Sequence, residues 1–91
     1  MNLCDKLIIP AQVMARVVGN ETVILDLANG TYYGLDLVGA RVWQLISENN
    51  SLLQICDEMV LEFETTHEVL QHDVLTLAQA LLERKLVGVS D

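Results

Sequence analysis

The sequence predicts an α+β fold of the winged helix-turn-helix kind, a three-stranded antiparallel sheet packed on a three-helix bundle. Three observations lead there. Turn signals at Gly19-Asn20-Glu21 and Asn29-Gly30 divide the first part of the chain into short β-prone runs. The stretch that follows carries three apolar stripes at helical spacing, each preceded by a capping residue. The order strand-strand-strand-helix-helix-helix then segregates sheet from helices, and a small sheet needs those helices to bury its apolar face.

Gln12 to Val18 and Thr22 to Leu27 form the first hairpin. Asp26 would be awkward with both faces buried. Alternation puts Val23, Leu25 and Leu27 on one face and leaves Ile24 and Asp26 on the other, so the sheet is covered on one side. Thr31-Tyr32-Tyr33 supply the third strand. This strand is short and runs almost without a connector into a helix, which is the character of a sheet edge left open rather than of a finished sheet.

The first helix starts at Asp36 as N-cap and runs to about Glu48, with Val38, Val42, Leu45 and Ile46 on its apolar face. Ser51 and Gln54 have capping-box spacing and open a second helix with the stripe Leu52, Ile55, Cys56, Met59 and Val60. Thr65 and Glu68 repeat that spacing. They open a third helix in which Val69, Leu70, Val74, Leu77, Ala78 and Leu81 continue to about Lys85. The short link Phe63-Glu64-Thr65 makes the second and third helices a helix-turn-helix. Leu86-Val87-Gly88-Val89 reads as a short terminal strand.

Ninety-one residues give room for one domain, spanning residues 1–91, with no linker, repeat or low-complexity run. The 13 acidic residues against 5 basic ones leave a formal charge of -8, which repels polyanions. Cys4 and Cys56 form no CxxC pair and no disulfide framework, which points to reduced thiols. The apolar run before Pro10 is too short for a signal-peptide core or a membrane span. The expected location is the cytoplasm.

A helix-turn-helix invites a nucleic-acid-binding or protein-interaction reading as a winged-helix module. The expected recognition helix, however, carries Glu68 and Asp73 and no Lys or Arg from Thr65 to Leu82, whereas affinity for DNA rests on basic groups neutralising phosphates. His67 and His72 are five residues apart, about 140° around a helix, and lack ligand spacing with Cys4 or Cys56. They read as partly exposed surface residues, and no metal or cofactor is expected. No nucleophile elbow surrounds Ser47, Ser51 or Ser90, no glycine-rich phosphate loop is present, and nothing in the sequence supports a Cys-His pair, so no catalytic residue is assigned. A phosphopantetheine carrier is disfavoured because Asp36-Leu37-Val38 offers no hydroxyl to modify. Trp43 reads as core. Tyr32 and Tyr33, adjacent on a strand, point to opposite faces, so only one can lie under the helices.

Three stretches, VILDLANGTYYGLDLVGARVWQLI, SLLQICDEMVLEFE and HEVLQHDVLTLAQALLERKLVGV, resemble the PqqD-like family of peptide chaperones, the RiPP precursor recognition elements. The resemblance runs from about Val13 to Val89. It is nearest to the free-standing members of lasso-peptide pathways, through Tyr32-Tyr33, the corner Gly34-Leu35-Asp36, the helix start Gly39-Ala40-Arg41-Val42-Trp43, Asp73-Val74 and the closing Leu86-Val87-Gly88-Val89. Asp36 replaces the commoner Asn but still caps a helix, and Lys-Leu-Val-Gly replaces the more usual Lys-Gly-Leu.

That resemblance implies a non-enzymatic protein that binds the leader segment of a ribosomally made precursor peptide. The leader adds as a strand to the third strand, at Thr31, Tyr32, Tyr33, Gly34 and Leu35, and lies in a groove against the third helix. The implied partners are the leader, a separate cysteine-protease leader peptidase of transglutaminase-like fold, and a cyclase acting afterwards. On a helical wheel Leu70, Val74, Leu77 and Leu81 point to the core, while Val69, Asp73, Thr76, Ala80 and Arg84 share the flank expected to wall the groove, with Leu77 at its floor. The opposite flank, Leu75 and Leu82, is the alternative.

Overall fold

The computed structural model describes residues 2–90. Its elements in chain order are β1 (Leu7–Ile8), β2 (Val13–Val18), β3 (Glu21–Asp26), β4 (Tyr32–Leu35), α1 (Leu37–Ser47), α2 (Leu52–Glu62), α3 (His67–Glu83) and β5 (Gly88–Val89). The three-stranded antiparallel sheet has the order β2-β3-β4, so the strand read as third in the sequence is β4, at an edge. The α+β architecture is the expected one.

Which face of the sheet is covered differs from the simplest reading of the alternation. Ile24 and Asp26 are buried, whereas Leu27 is 66% exposed and Val23 and Leu25 are half-buried. The covered face also carries Val13, Tyr33 and Leu35, because directly paired residues project to the same side and Val13 pairs with Asp26 and Tyr33 with Ile24. A buried aspartate is tolerated because its carboxylate is satisfied. Oδ1 accepts from the backbone N–H groups of Ala28 at 2.9 Å and Asn29 at 3.2 Å, and Oδ2 accepts from Asn29 Nδ2 at 3.0 Å.

Asp36 alone joins β4 to α1. Its Oδ1 accepts from Gly39 N–H at 2.8 Å, capping the helix immediately after the strand ends. Gly39 eases that close junction, since a Cβ there would stand 3.1 Å from Leu35 Cδ2, which would have to give by a few tenths of an ångström. On α1, Val42, Trp43, Leu45 and Ile46 are buried, but Val38, expected on the same stripe, is 37% exposed. Ser51 and Gln54 form the capping box of α2. The cap of α3 is Thr66 rather than Thr65: Thr66 Oγ1 accepts from Val69 N–H at 3.2 Å. Consecutive threonines offer two N-cap registers, and the capping-box spacing of Thr65 with Glu68 favours the one the helix does not use.

The core lies between the covered sheet face and the helices, with Ile24, Leu52, Ile55, Cys56, Met59, Ala78 and Leu81 fully enclosed. Cys56 and Cys4 are both free thiols, the first buried and the second exposed, and burial pushes the Cys56 thiol up, away from the reactive thiolate. Across the helices, Arg41 binds Glu62 through two hydrogen bonds at 2.7 and 2.6 Å, which hold the Glu62 carboxyl below the ordinary glutamate range.

The terminal strand pairs differently from what a fourth sheet strand would require. Gly88–Val89 joins Leu7–Ile8 in a separate two-stranded sheet, and Leu86 and Val87 fill the core. The N-terminal segment is further tied to the start of α2 by Leu53 N–H donating to the Leu3 carbonyl at 2.7 Å and Leu52 N–H to the Asp5 carbonyl at 3.0 Å.

Candidate functional site

The site is built from an open strand edge and a helix flank. The Asp26 N–H donates to the Thr31 carbonyl at 2.8 Å, and the Leu27 N–H donates to the Gln12 carbonyl at 2.9 Å. Even-numbered residues of β3 therefore hydrogen-bond towards β4 and odd-numbered ones towards β2, because antiparallel pairing alternates along a strand. With Ile24 opposite Tyr33 and Thr22 opposite Leu35, the amides and carbonyls of Tyr33 and Leu35 serve β3. Those of Tyr32 and Gly34 face the open side. An edge of this kind presents a ready row of unpaired donors and acceptors.

Side chains alternate with the same period. Tyr32 stands 71% exposed on the uncovered face, while Tyr33 is half-buried against the core and Leu35 is buried. The Asp26 carboxylate fixes where β4 begins, since its three hydrogen bonds hold the connecting loop together with Gly30, which takes φ +72 and donates its N–H to the Asp26 carbonyl at 2.8 Å.

Between β4 and α3 runs a cleft of about 560 Å³. Tyr33, Gly34 and Leu35 form its strand side, and Asp73, Thr76, Leu77 and Ala80 form its helix side. Beside the strand side, the Arg84 guanidinium lies over the Tyr33 ring, 4.7 Å from its centroid. Of the residues expected at the site, Thr31, Tyr32, Val69 and Arg84 do not line this cleft; Val69 is 50% exposed, and Arg84 reaches only the Tyr33 ring beside it. Leu75 and Leu82, on the alternative flank, pack against the core and stand apart from it.

Sequence reasoning did not place His72, Asp36, Val38 and Gly39 at the cleft, yet they complete its lining. His72 is in the helical row His72-Thr76-Ala80, and the Thr76 hydroxyl donates to the His72 carbonyl at 2.8 Å. That four-residue spacing was the available signal. His67, by contrast, lies elsewhere, with Nε2 3.0 Å from Asp57 Oδ1. Among the described residues there is no group of three His, Cys, Asp or Glu side chains that could hold a metal, and no helix is long and apolar enough to cross a membrane.

The arrangement offers main-chain hydrogen bonds on one side and a mixed apolar and polar wall on the other. Together they define the class of small winged α+β domain with an open strand edge beside a helix. The family model of coenzyme PQQ synthesis protein D (PqqD) matches residues 21–87, and the chain belongs to this family as a PqqD-like RiPP recognition element. The solved structure of TbiB1 in complex with the TbiA(beta) leader peptide is similar at 32% identity with a TM-score of 0.82, covering 92% of this chain and 99% of that one. The structure of lasso peptide synthetase B1 complexed with its leader peptide superimposes with a TM-score of 0.83 over 91% of this chain and 98% of that one, and at 18% identity it speaks for the fold. No curated protein matches the chain.

Proposed function

We propose that this chain binds the leader segment of a ribosomally synthesised precursor peptide, of the lasso-peptide kind, by adding it as a strand to β4. The observation that carries this is the open edge of β4 directly beside the cleft against α3. The backbone of Tyr32 and Gly34 supplies sequence-tolerant affinity, and the cleft selects among side chains. The similar TbiB1, solved with a leader peptide bound, supports the same reading here. The whole chain acts as one recognition domain in the cytoplasm.

Holding the leader does not require chemistry by the holder. The chain presents the leader to a separate cysteine-protease leader peptidase, ahead of a cyclase, and works without metal or cofactor. Leader mixed with the pure, chelator-washed chain is expected to stay intact by mass spectrometry. Cleavage, or stoichiometric zinc in that sample, contradicts this part.

Titration calorimetry with a synthetic leader peptide tests the binding. The expected dissociation constant is on the order of micromolar or tighter, about -8 kcal/mol or better, with a negative heat-capacity change from apolar burial. Duplex DNA is expected to give no heat at physiological salt, since α3 carries Glu68, Asp73 and Glu83 and no Lys or Arg. DNA binding without leader binding reverses the assignment.

A further inference from the structure

The chain holds 13 acidic side chains against 5 basic ones, so a guanidinium without a carboxylate partner is unexpected beside a candidate binding cleft. Arg84 is one. The ion pairs among the described residues belong to Arg41 and His67. Arg84 instead lies over the Tyr33 ring, and its Nη1 donates to the Ala80 carbonyl at 3.3 Å. A guanidinium has five N–H donors in one plane. Stacking occupies its face and the carbonyl takes one donor, which leaves an edge suited to a carboxylate.

Register says where such a carboxylate comes from, on the reading that a peptide strand pairs with β4. The guest hydrogen-bonds to Tyr32 and Gly34, so its residues opposite Tyr33 and Leu35 are non-hydrogen-bonded pairs whose side chains project to the covered face, with Cβ atoms about 4.5–5.5 Å from their partners. The residue opposite Leu35 meets Leu35, Val38 and Leu77. The residue opposite Tyr33 ends beside Arg84. We infer that Arg84 is a specificity-determining residue that receives an Asp or Glu side chain of the bound peptide, two positions from an apolar side chain seated at Leu35. Tyr33 positions the guanidinium. Asp73, lining the same cleft from a position three turns earlier on α3, repels an acidic residue placed at the other end and so favours one register.

A purely structural role for Arg84 also exists, because a cation at a helix C-terminus interacts favourably with the last carbonyls. It predicts a small stability change and no discrimination among peptides. The test is selection from a displayed random-peptide library against the wild-type chain, Arg84→Gln and Arg84→Glu, each shown to be folded by thermal unfolding. Binders that also bind Tyr32→Pro are discarded, so that those retained depend on the edge. The wild type is expected to enrich Asp or Glu two positions from an apolar residue. Replacing that acid by its amide is expected to weaken binding to the wild type about tenfold and to leave binding to Arg84→Gln nearly unchanged. Arg84→Glu is expected to select Lys or Arg at the same position. Edge-dependent peptides with no acidic preference, or with the same preference in all three chains, overturn the role of Arg84 while leaving strand addition intact. Recovery of no edge-dependent peptide contradicts strand addition itself, and the role of Arg84 with it.

Discussion

Tyr32→Pro is expected to abolish leader binding while leaving the thermal transition nearly where it is in the parent. Proline removes one backbone N–H and fixes φ near the extended range. At Tyr32 the lost N–H faces the open edge, so β3 loses no partner; the side chain is already 71% exposed, so the core loses little. The guest strand, however, loses a central donor and meets the pyrrolidine ring in its place. Tyr33→Pro is the converse. Its amide belongs to the ladder with Ile24, a fully buried residue, so the substitution orphans a carbonyl in the sheet and is expected to cost about 1–3 kcal/mol. Paired thermal melts and titrations of the two variants read this directly. Equal stability and parental binding in both contradict strand addition at β4.

Asp26→Ala is expected to lower stability by about 1–3 kcal/mol, because the Ala28 and Asn29 amides and the Asn29 side chain all lose their acceptor at a position that is 1% exposed. Asp26→Asn retains one acceptor oxygen for the two amides and is expected to fall between the parent and the alanine variant. Both are expected to weaken leader binding beyond their effect on folding, since the loop they loosen sets the start of β4. Denaturant midpoints at constant m give the stability part. An alanine variant as stable as the parent shows that the carboxylate does not hold the loop.

Much of this arrangement was legible in the sequence where the signal is local. The turn signals, the Asp36 cap, the Ser51–Gln54 capping box and the helical stripes each rest on residues a few positions apart. The helix side of the cleft was also legible, since Asp73, Thr76 and Ala80 fall on one flank by helical geometry alone. What escaped depends on distant partners. Nothing in Leu7-Ile8 names Gly88-Val89 as its neighbour.

The sign of an alternation is likewise undetermined until something packs on it. Val23, Leu25 and Leu27 looked the better core face because they are uniformly apolar, yet Ile24 and Asp26 are the buried pair. The physical reason lies in the loop: Asp26 stands three residues before Asn29, where a carboxylate can bind the turn amides and so be buried without an unsatisfied charge. His72 reads from the sequence as a surface residue, which it is, but the surface it occupies is the wall of the cleft.

The central claim is that a guest strand pairs with the outward groups of β4, and amide hydrogen exchange with and without saturating leader peptide tests it most directly. The account predicts that the Tyr32 and Gly34 amides, open in the free chain, gain strong protection on binding, while those of Tyr33 and Leu35, already bonded to β3, change little. Leader binding that leaves Tyr32 and Gly34 exchanging as fast as in the free chain, with new protection on another surface, contradicts it.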